Sequence, residues 1–145
     1  MTTKLSRLAF ALILAGLGAC SRGPVTLVAT STLENGPPGL KATLKLNGFG
    51  PDASGGDGTL TVERKSGTHT TTPEGSYAVR WQWIAKDSAF TVSVPEAHAG
   101  LSFKPSPVSG DPTRTAPAFW CLECERDRPG VGDLVWLPGV FSKKS

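Results

Sequence analysis

The chain has few of the residues on which enzymatic and metal sites most often depend. Its 145 residues include two histidines, three cysteines, one tyrosine and one methionine. A serine–histidine–aspartate site would have to use His69 or His98, and the sequence has no nucleophile elbow, no His-Glu-x-x-His motif and no phosphate-binding loop. We therefore expect a protein that is not an enzyme and that carries no cofactor and no metal ion.

An excess of charge of one sign is also missing. The 15 Lys and Arg residues stand against 12 Asp and Glu residues, which gives a formal net charge of +3. Such a balance is too weak to predict a nucleic-acid-binding surface. We expect no nucleic-acid partner.

Long helices and long apolar runs are absent from the pattern. The 17 glycines and 12 prolines recur too often for helices of ordinary length, and no segment shows a 3.6-residue period. The apolar run 8–15 is too short to cross a bilayer, which takes about 20 residues. It follows the basic residues Lys4 and Arg7, and this order is typical of a secretory signal peptide.

The residues after this run form the most specific motif in the chain. The sequence Leu17-Gly18-Ala19-Cys20 resembles the lipobox of bacterial lipoproteins, in which a branched apolar residue and two small residues precede an obligatory cysteine. The resemblance implies cleavage before Cys20 and attachment of lipid to its thiol. It divides the chain into a signal peptide (1–19), a lipidated cysteine with a short tether (20–24) and one folded domain (25–145).

Lipidation would make the membrane a partner through Cys20 and place the protein in the bacterial cell envelope. Ser21 rather than aspartate follows the cysteine, which in similar Gram-negative lipoproteins favours the periplasmic face of the outer membrane. The mature chain would have 126 residues with 13 basic against 12 acidic side chains. An ordinary cleaved signal peptide that uses Gly16 and Gly18, and a Gram-positive origin, stay open as alternatives.

The sequence of the mature chain predicts short amphipathic strands separated by turns. Apolar and polar residues alternate along 40–47, and glycine, proline or asparagine turns recur about every 8–12 residues, as in a β-sandwich or a small barrel. We predict an all-β fold, a single small antiparallel β-sandwich that is immunoglobulin-like or similar. The predicted strands are 25–33, 40–47, 58–65, 77–85, 89–94, 101–104, 117–123 and 133–141. The predicted core is Leu27, Leu44, Leu46, Leu60, Val62, Val79, Trp81, Trp83, Phe90, Val92, Phe103 and Leu134.

Cys121 and Cys124 are the pair that remains once Cys20 carries lipid. In an exported chain two cysteines most often form a disulfide, and we expect a structural bridge that fixes a local turn. A thiol-disulfide site is the alternative, although Glu123 and Glu125 would raise the pKa of a thiolate.

The sequence offers ligands for two metal sites, one for zinc and one for calcium, but the pattern of residues disfavours both. Zinc would need His69 and His98 in addition to the cysteine pair, and an exported protein rarely keeps free thiolates. The loop Asp52–Gly58 offers two carboxylates and a hydroxyl, but it lacks the regular ligand spacing of a calcium loop.

Four tryptophans are the remaining candidates for recognition. Trp81 and Trp83 share one strand face and are assigned to the core, whereas Trp120 and Trp136 are possible partner contacts. Lys143 and Lys144 are expected to be a solvated tail, with contact to anionic lipid as the alternative.

Together these features predict an envelope lipoprotein that acts as a non-catalytic binding or structural module. We expect its partner to be another envelope protein, which it serves as an assembly subunit or neutralises as a protective, immunity-type inhibitor. The alternatives are a periplasmic thiol-disulfide protein that uses Cys121 and Cys124, and a lipoprotein that binds a small ligand or a sugar.

Overall fold

The computed structural model describes residues 24–31, 39–50, 52–65, 73–125, 129–134 and 136–144. The predicted signal peptide, the lipobox with Cys20, and His69 lie outside these residues. No helix in the described part of the chain is both long and apolar enough to span a membrane.

In the described residues the fold consists of eight strands joined by turns and short 3-10 segments, which confirms the all-β prediction. The strands are β1 (Val25–Thr30), β2 (Leu40–Leu46), β3 (Gly55–Arg64), β4 (Gly75–Ile84), β5 (Ala89–Val94), β6 (Ala99–Pro105), β7 (Ala118–Cys121) and β8 (Val140–Lys143). The 3-10 segments are Ala85–Asp87, Pro95–Ala97, Pro107–Ser109 and Pro129–Leu134.

The strands form one closed antiparallel barrel, so the predicted β-sandwich is wrong. Each strand pairs with its neighbours in chain order, and β1 pairs with β8 through Leu27 opposite Lys143 and Val28 opposite Ser142. A sandwich and a barrel both bury one face of every strand, so both produce the same alternation of apolar and polar residues. Only the long-range pairing of the first and last strands distinguishes the two folds.

Strand positions follow the alternation closely, except near the C-terminus. Strands β1, β2 and β5 begin at the predicted residues, although β1 ends at Thr30, and β3 begins earlier, at Gly55. The predicted strand 133–141 is instead a 3-10 segment up to Leu134 and the short strand β8. Pro138 and Gly139 stand directly before β8, and proline lacks the backbone donor that a paired strand needs.

The barrel interior is filled with side chains. Four fully buried phenylalanines pack together, with ring centroids 4.8 Å apart for Phe90 and Phe103, 5.2 Å for Phe90 and Phe119, and 5.2 Å for Phe103 and Phe141. All predicted core residues are buried except Trp83, which is half-buried. An eight-stranded barrel is just narrow enough to be filled in this way.

The two ends of the barrel are closed by different residues. The terminal end carries the start of β1, the end of β8 and the turns that follow β2, β4 and β6. There the ring of Phe49 lies 4.9 Å from that of Trp81 and 5.1 Å from that of Phe90. The distal end carries the turn after β5 and the segment between β7 and β8, whose Leu134 and Leu137 are fully buried.

Candidate functional site

The most exposed apolar surface on the barrel wall lies on β7 and β8. Four large hydrophobic side chains are exposed in the described part of the chain, and three of them are Trp120, Leu122 and Val140, at 46%, 38% and 44%. Trp120 stands directly opposite Val140 in the antiparallel pair, and Leu122 follows on the same side of the chain. We call these three residues the apolar patch.

The patch arises because β7 is apolar on both faces. Phe119 and Cys121 point into the core, while Trp120 and Leu122 alternate with them and point outward. In β2, by contrast, the outward positions are Lys41, Thr43 and Lys45. A strand that is apolar on both faces is typical of a sheet covered on both sides. The outer face of β7 is therefore suited to burial against another surface.

The disulfide between Cys121 and Cys124 fixes the backbone beside the patch. The two sulfur atoms are bonded, and the Cα atoms lie 5.3 Å apart. The Leu122 N–H donates to the Ser102 carbonyl at 2.9 Å, which extends the pairing with β6 beyond β7. The backbone at Leu122 is thus fixed before any partner arrives, and such preorganisation reduces the entropy lost on binding.

Two carboxylates fasten the disulfide turn to the barrel. Glu123 accepts a hydrogen bond from the backbone N–H of Ser102 at 2.5 Å, and Glu125 accepts one from the backbone N–H of Gly139 at 3.0 Å. The N–H of Glu125 itself donates to the Leu137 carbonyl. The turn is therefore attached to β6 on one side and to the segment before β8 on the other.

Polar residues border the apolar patch. In the strand register Lys104 of β6 stands opposite Trp120, so one row on the outer wall runs from Lys104 through Trp120 to Val140. Lys104 and Ser142 are exposed, and Ser102 is half-buried. An apolar centre with a polar border is the usual anatomy of a protein–protein interface.

The other predicted contact residue, Trp136, has a different environment. It is half-buried, packs against the core and follows the segment that closes the distal end. The backbone N–H of Trp136 donates to the Leu134 carbonyl at 2.6 Å. Of the two predicted contact residues, Trp136 packs against the core and Trp120 is the more exposed.

The described residues considered for redox and zinc chemistry are each engaged in another contact. Cys121 and Cys124 are 2% and 3% exposed, and burial of both sulfurs hinders attack by a thiolate. His98, on an exposed turn, contacts Asp133 with Nδ1 2.9 Å from Oδ2. In the described residues no three His, Cys, Asp or Glu side chains come close enough to hold a metal ion.

Away from the apolar patch, a depression of about 510 Å³ lies on the outer wall of β3, β4 and β5. Its polar lining side chains are Ser54, Asp57, Arg80, Gln82, Thr91 and Ser93. Trp81 also borders it but is 3% exposed and donates from Nε1 to the Asn47 carbonyl at 3.0 Å. The depression therefore lacks the open aromatic face on which a sugar ring would stack.

The loop between β6 and β7 closes the terminal end through Arg114. Its Nη1 donates to the carbonyls of Gly50 at 2.5 Å and Ala53 at 2.7 Å. The guanidinium lies over the ring of Trp83, which is half-buried and packs against the core rather than within it as predicted.

Two groups in this part of the barrel have shifted pKa values. The side-chain hydroxyls of Thr113 and Thr115 and the Thr113 N–H donate to Asp111 and lower the pKa of its carboxyl group. Partial burial lowers the pKa of the Lys143 ammonium, and the Asp111 carboxylate opposes that shift. Lys143 Nζ also donates to the Arg114 carbonyl at 3.3 Å.

Comparison with known proteins adds no relative: no protein-family model, no curated protein and no solved structure matches this chain.

Sequence reasoning found one member of the patch and missed two. Trp120 is a candidate because of its residue type, whereas Leu122 and Val140 each fall in a predicted strand and have no predicted role. The run of four apolar residues 119–122 is the available indication, because it breaks the alternation seen in the predicted strands 40–47 and 58–65. For Val140 no such indication exists, since its position opposite Trp120 depends on barrel pairing.

Proposed function

We propose that this protein is an envelope lipoprotein, anchored through lipid on Cys20, that binds another envelope protein through the apolar patch. The observation that carries the proposal is the clustering of Trp120, Leu122 and Val140 on one stretch of outer wall. The binding is non-catalytic, and the partner is an assembly component or an incoming toxin that the lipoprotein neutralises.

Trp120 has a residue type and an exposed environment that favour binding to a protein partner. Tryptophan is enriched among the few interface residues that dominate binding, and truncation of such a residue typically costs about 2 kcal/mol or more. Here the indole is flanked by Lys104 on one strand and Val140 on the next, and neither neighbour covers it completely. A partner that buries this row removes apolar area from water without disturbing the packed barrel.

The decisive experiment compares variants of the patch with a matched variant elsewhere. Full-length protein is captured from native membranes after brief cross-linking, and its partner is identified and purified. Affinity is then measured for Trp120→Ala and Val140→Thr, with Val108→Thr as control. Val108 is 94% exposed at the terminal end, so the same isosteric change is made there outside the patch.

We expect Trp120→Ala to weaken binding at least about tenfold and Val140→Thr to weaken it about three-fold, while Val108→Thr leaves the affinity unchanged. Melting temperatures of all three variants are measured to exclude unfolding. Equal affinity of wild type and Trp120→Ala for the captured partner would remove the patch from the proposal.

The anchor has its own test. In Cys20→Ala the thiol that would accept the lipid is absent, so the precursor should remain unprocessed and should not fractionate as a mature lipoprotein. Mass spectrometry of the purified wild-type chain should show an acylated N-terminal cysteine at position 20. Normal maturation of Cys20→Ala would contradict the anchor while leaving the patch experiment valid.

A further inference from the structure

The first and last described residues lie at the same end of the barrel. Strand β1 begins at Val25, and the N–H of Lys144, just after β8, donates to the Thr26 carbonyl at 2.9 Å. The chain that leads to Cys20 therefore leaves from the terminal end.

The distance from this end to the lipid is short. Four residue steps separate Cys20 from Pro24, and a fully extended chain spans at most about 3.6 Å per residue, or roughly 14 Å in total. This step rests on the proposed lipidation of Cys20. With that lipid inserted, the terminal end of the barrel cannot move far from the bilayer surface.

The terminal end displays one bare apolar side chain and several cations. Val108, 94% exposed, lies on the loop between β6 and β7, and Lys86 is exposed on the turn between β4 and β5. Lys144 is exposed beside the end of β8, where Lys143 is half-buried. The described carboxylates at this end are those of Asp52, Asp57, Asp87 and Asp111, and the last accepts hydrogen bonds from Thr113 and Thr115. They are outnumbered by the described cations at the same end, which are Lys45, Lys86, Lys104, Arg114, Lys143 and Lys144.

The distal end has the opposite balance. Its described carboxylates outnumber its described cations: Glu63, Glu74, Glu96, Glu123, Glu125 and Asp133 stand against Lys41, Arg64 and Lys65. A barrel whose basic end is tethered and whose acidic end is free is oriented by an anionic membrane surface, because that surface attracts the first end and repels the second.

We propose that the terminal end is a membrane-contact face, on which Val108, Lys86 and Lys144 touch a bilayer that contains anionic phospholipid. The barrel axis then points outward from the membrane surface, with the distal end farthest from the lipid. In this orientation the apolar patch lies on the side wall, and the turn 95–98 points away from the lipid.

The orientation can be measured in the lipidated full-length protein. A fluorophore is attached to Val108→Cys or, as matched control at the distal end, to Glu96→Cys. Because Cys121 and Cys124 are bonded and Cys20 would be acylated, the introduced thiol is the reactive one. The proteins are reconstituted in vesicles of phosphatidylglycerol and phosphatidylethanolamine that contain a lipid with a quencher on its headgroup.

We expect quenching at position 108 to be at least about three-fold stronger than at position 96, since the barrel separates the two labels by the length of its strands. Exchange to neutral phosphatidylcholine vesicles should reduce quenching at position 108. Lys86→Glu with Lys144→Glu should have the same effect in anionic vesicles. The control pair Lys41→Glu with Lys65→Glu, an equal change of charge at the distal end, should not.

Failure of the proposed anchor and failure of the proposed orientation would give different results. A chain without lipid on Cys20 that does not float with the vesicles overturns the proposed anchor and this orientation together. A chain that floats but shows equal quenching at both labels, or stronger quenching at position 96, overturns the orientation alone. Loss of quenching that is the same for both charge-reversal pairs would contradict the role of Lys86 and Lys144.

Discussion

The guanidinium of Arg114 lies over the indole of Trp83, with Cζ 4.3 Å from the ring centroid. The same guanidinium donates to the carbonyls of Gly50 and Ala53, which are more than 60 residues away in the chain. One side chain thus joins the loop after β6 to the turn after β2 across the terminal end of the barrel.

Replacement of Arg114 should destabilise the fold because two carbonyls lose a charged donor and the ring loses its cation. We expect Arg114→Ala to lower the free energy of unfolding by about 2–3 kcal/mol. Arg114→Lys keeps the charge but not the planar fork, and should lose about half as much. Urea denaturation measures both, with Lys86→Ala on a nearby exposed turn as control. Equal stability of Arg114→Ala and Lys86→Ala would show that the contacts contribute nothing.

Gly132 stands where no side chain fits. Its φ is +56° and its ψ is −133°, and a Cβ atom placed on it would collide with the carbonyl oxygens of Ala97 and His98. Gly132→Ala should therefore cost about 3 kcal/mol or more, from backbone strain and steric clash together. Gly110 is the matched control, because its φ is +73° but the space around its Cβ position is open. Thermal unfolding should show a clearly smaller loss for Gly110→Ala, and equal losses would contradict the clash.

The buried disulfide should behave as a structural bond. Cys121→Ala with Cys124→Ala should lower the free energy of unfolding by about 2 kcal/mol, the value for so short a loop in the chain-entropy model. In the native protein, glutathione should reduce the bridge slowly, and the rate should rise with urea as the protein unfolds. Rapid reduction without urea would favour the thiol-disulfide alternative.

Asp111 links the stability of the β6–β7 loop to pH. Hydrogen bonds from Thr113 and Thr115 hold the pKa of its carboxyl group below its ordinary value in the folded state. A group with a lowered folded-state pKa stabilises the fold at neutral pH, and that contribution disappears as the pH falls through the folded-state value. Asp111→Asn should therefore show a shallower loss of stability on acidification, whereas Asp87→Asn, on an exposed turn, should follow the wild type. A steeper loss in Asp111→Asn would reverse the assigned sign.

Much of the fold could be predicted because alternation is a local property. The leucines at 40, 44 and 46 are buried while Lys41 and Lys45 are exposed, as the pattern requires. The predicted strand 89–94 has its observed bounds. These features depend only on neighbouring residues along the chain.

The rest depended on contacts between distant residues. Phe49 lies between two glycines in what reads as a plain turn, yet its ring closes the barrel against Trp81 and Phe90. The closure of β1 on β8 joins residues more than 110 positions apart, so no local pattern could distinguish barrel from sandwich. The candidate site was predictable only at Trp120 for the same reason, because Trp120 is a candidate by residue type, whereas Val140 joins the patch only through strand pairing.

The ladder between β1 and β8 also determines the order in which the fold can be completed. Its two partners are the first and last of the described strands, so β1 has only β2 beside it until β8 pairs with it. During that interval β1 is an open edge that another chain could occupy. Loss of β8 would make that exposure permanent and uncover the core residues that pack against Phe141, so strand β8 protects the barrel against aggregation.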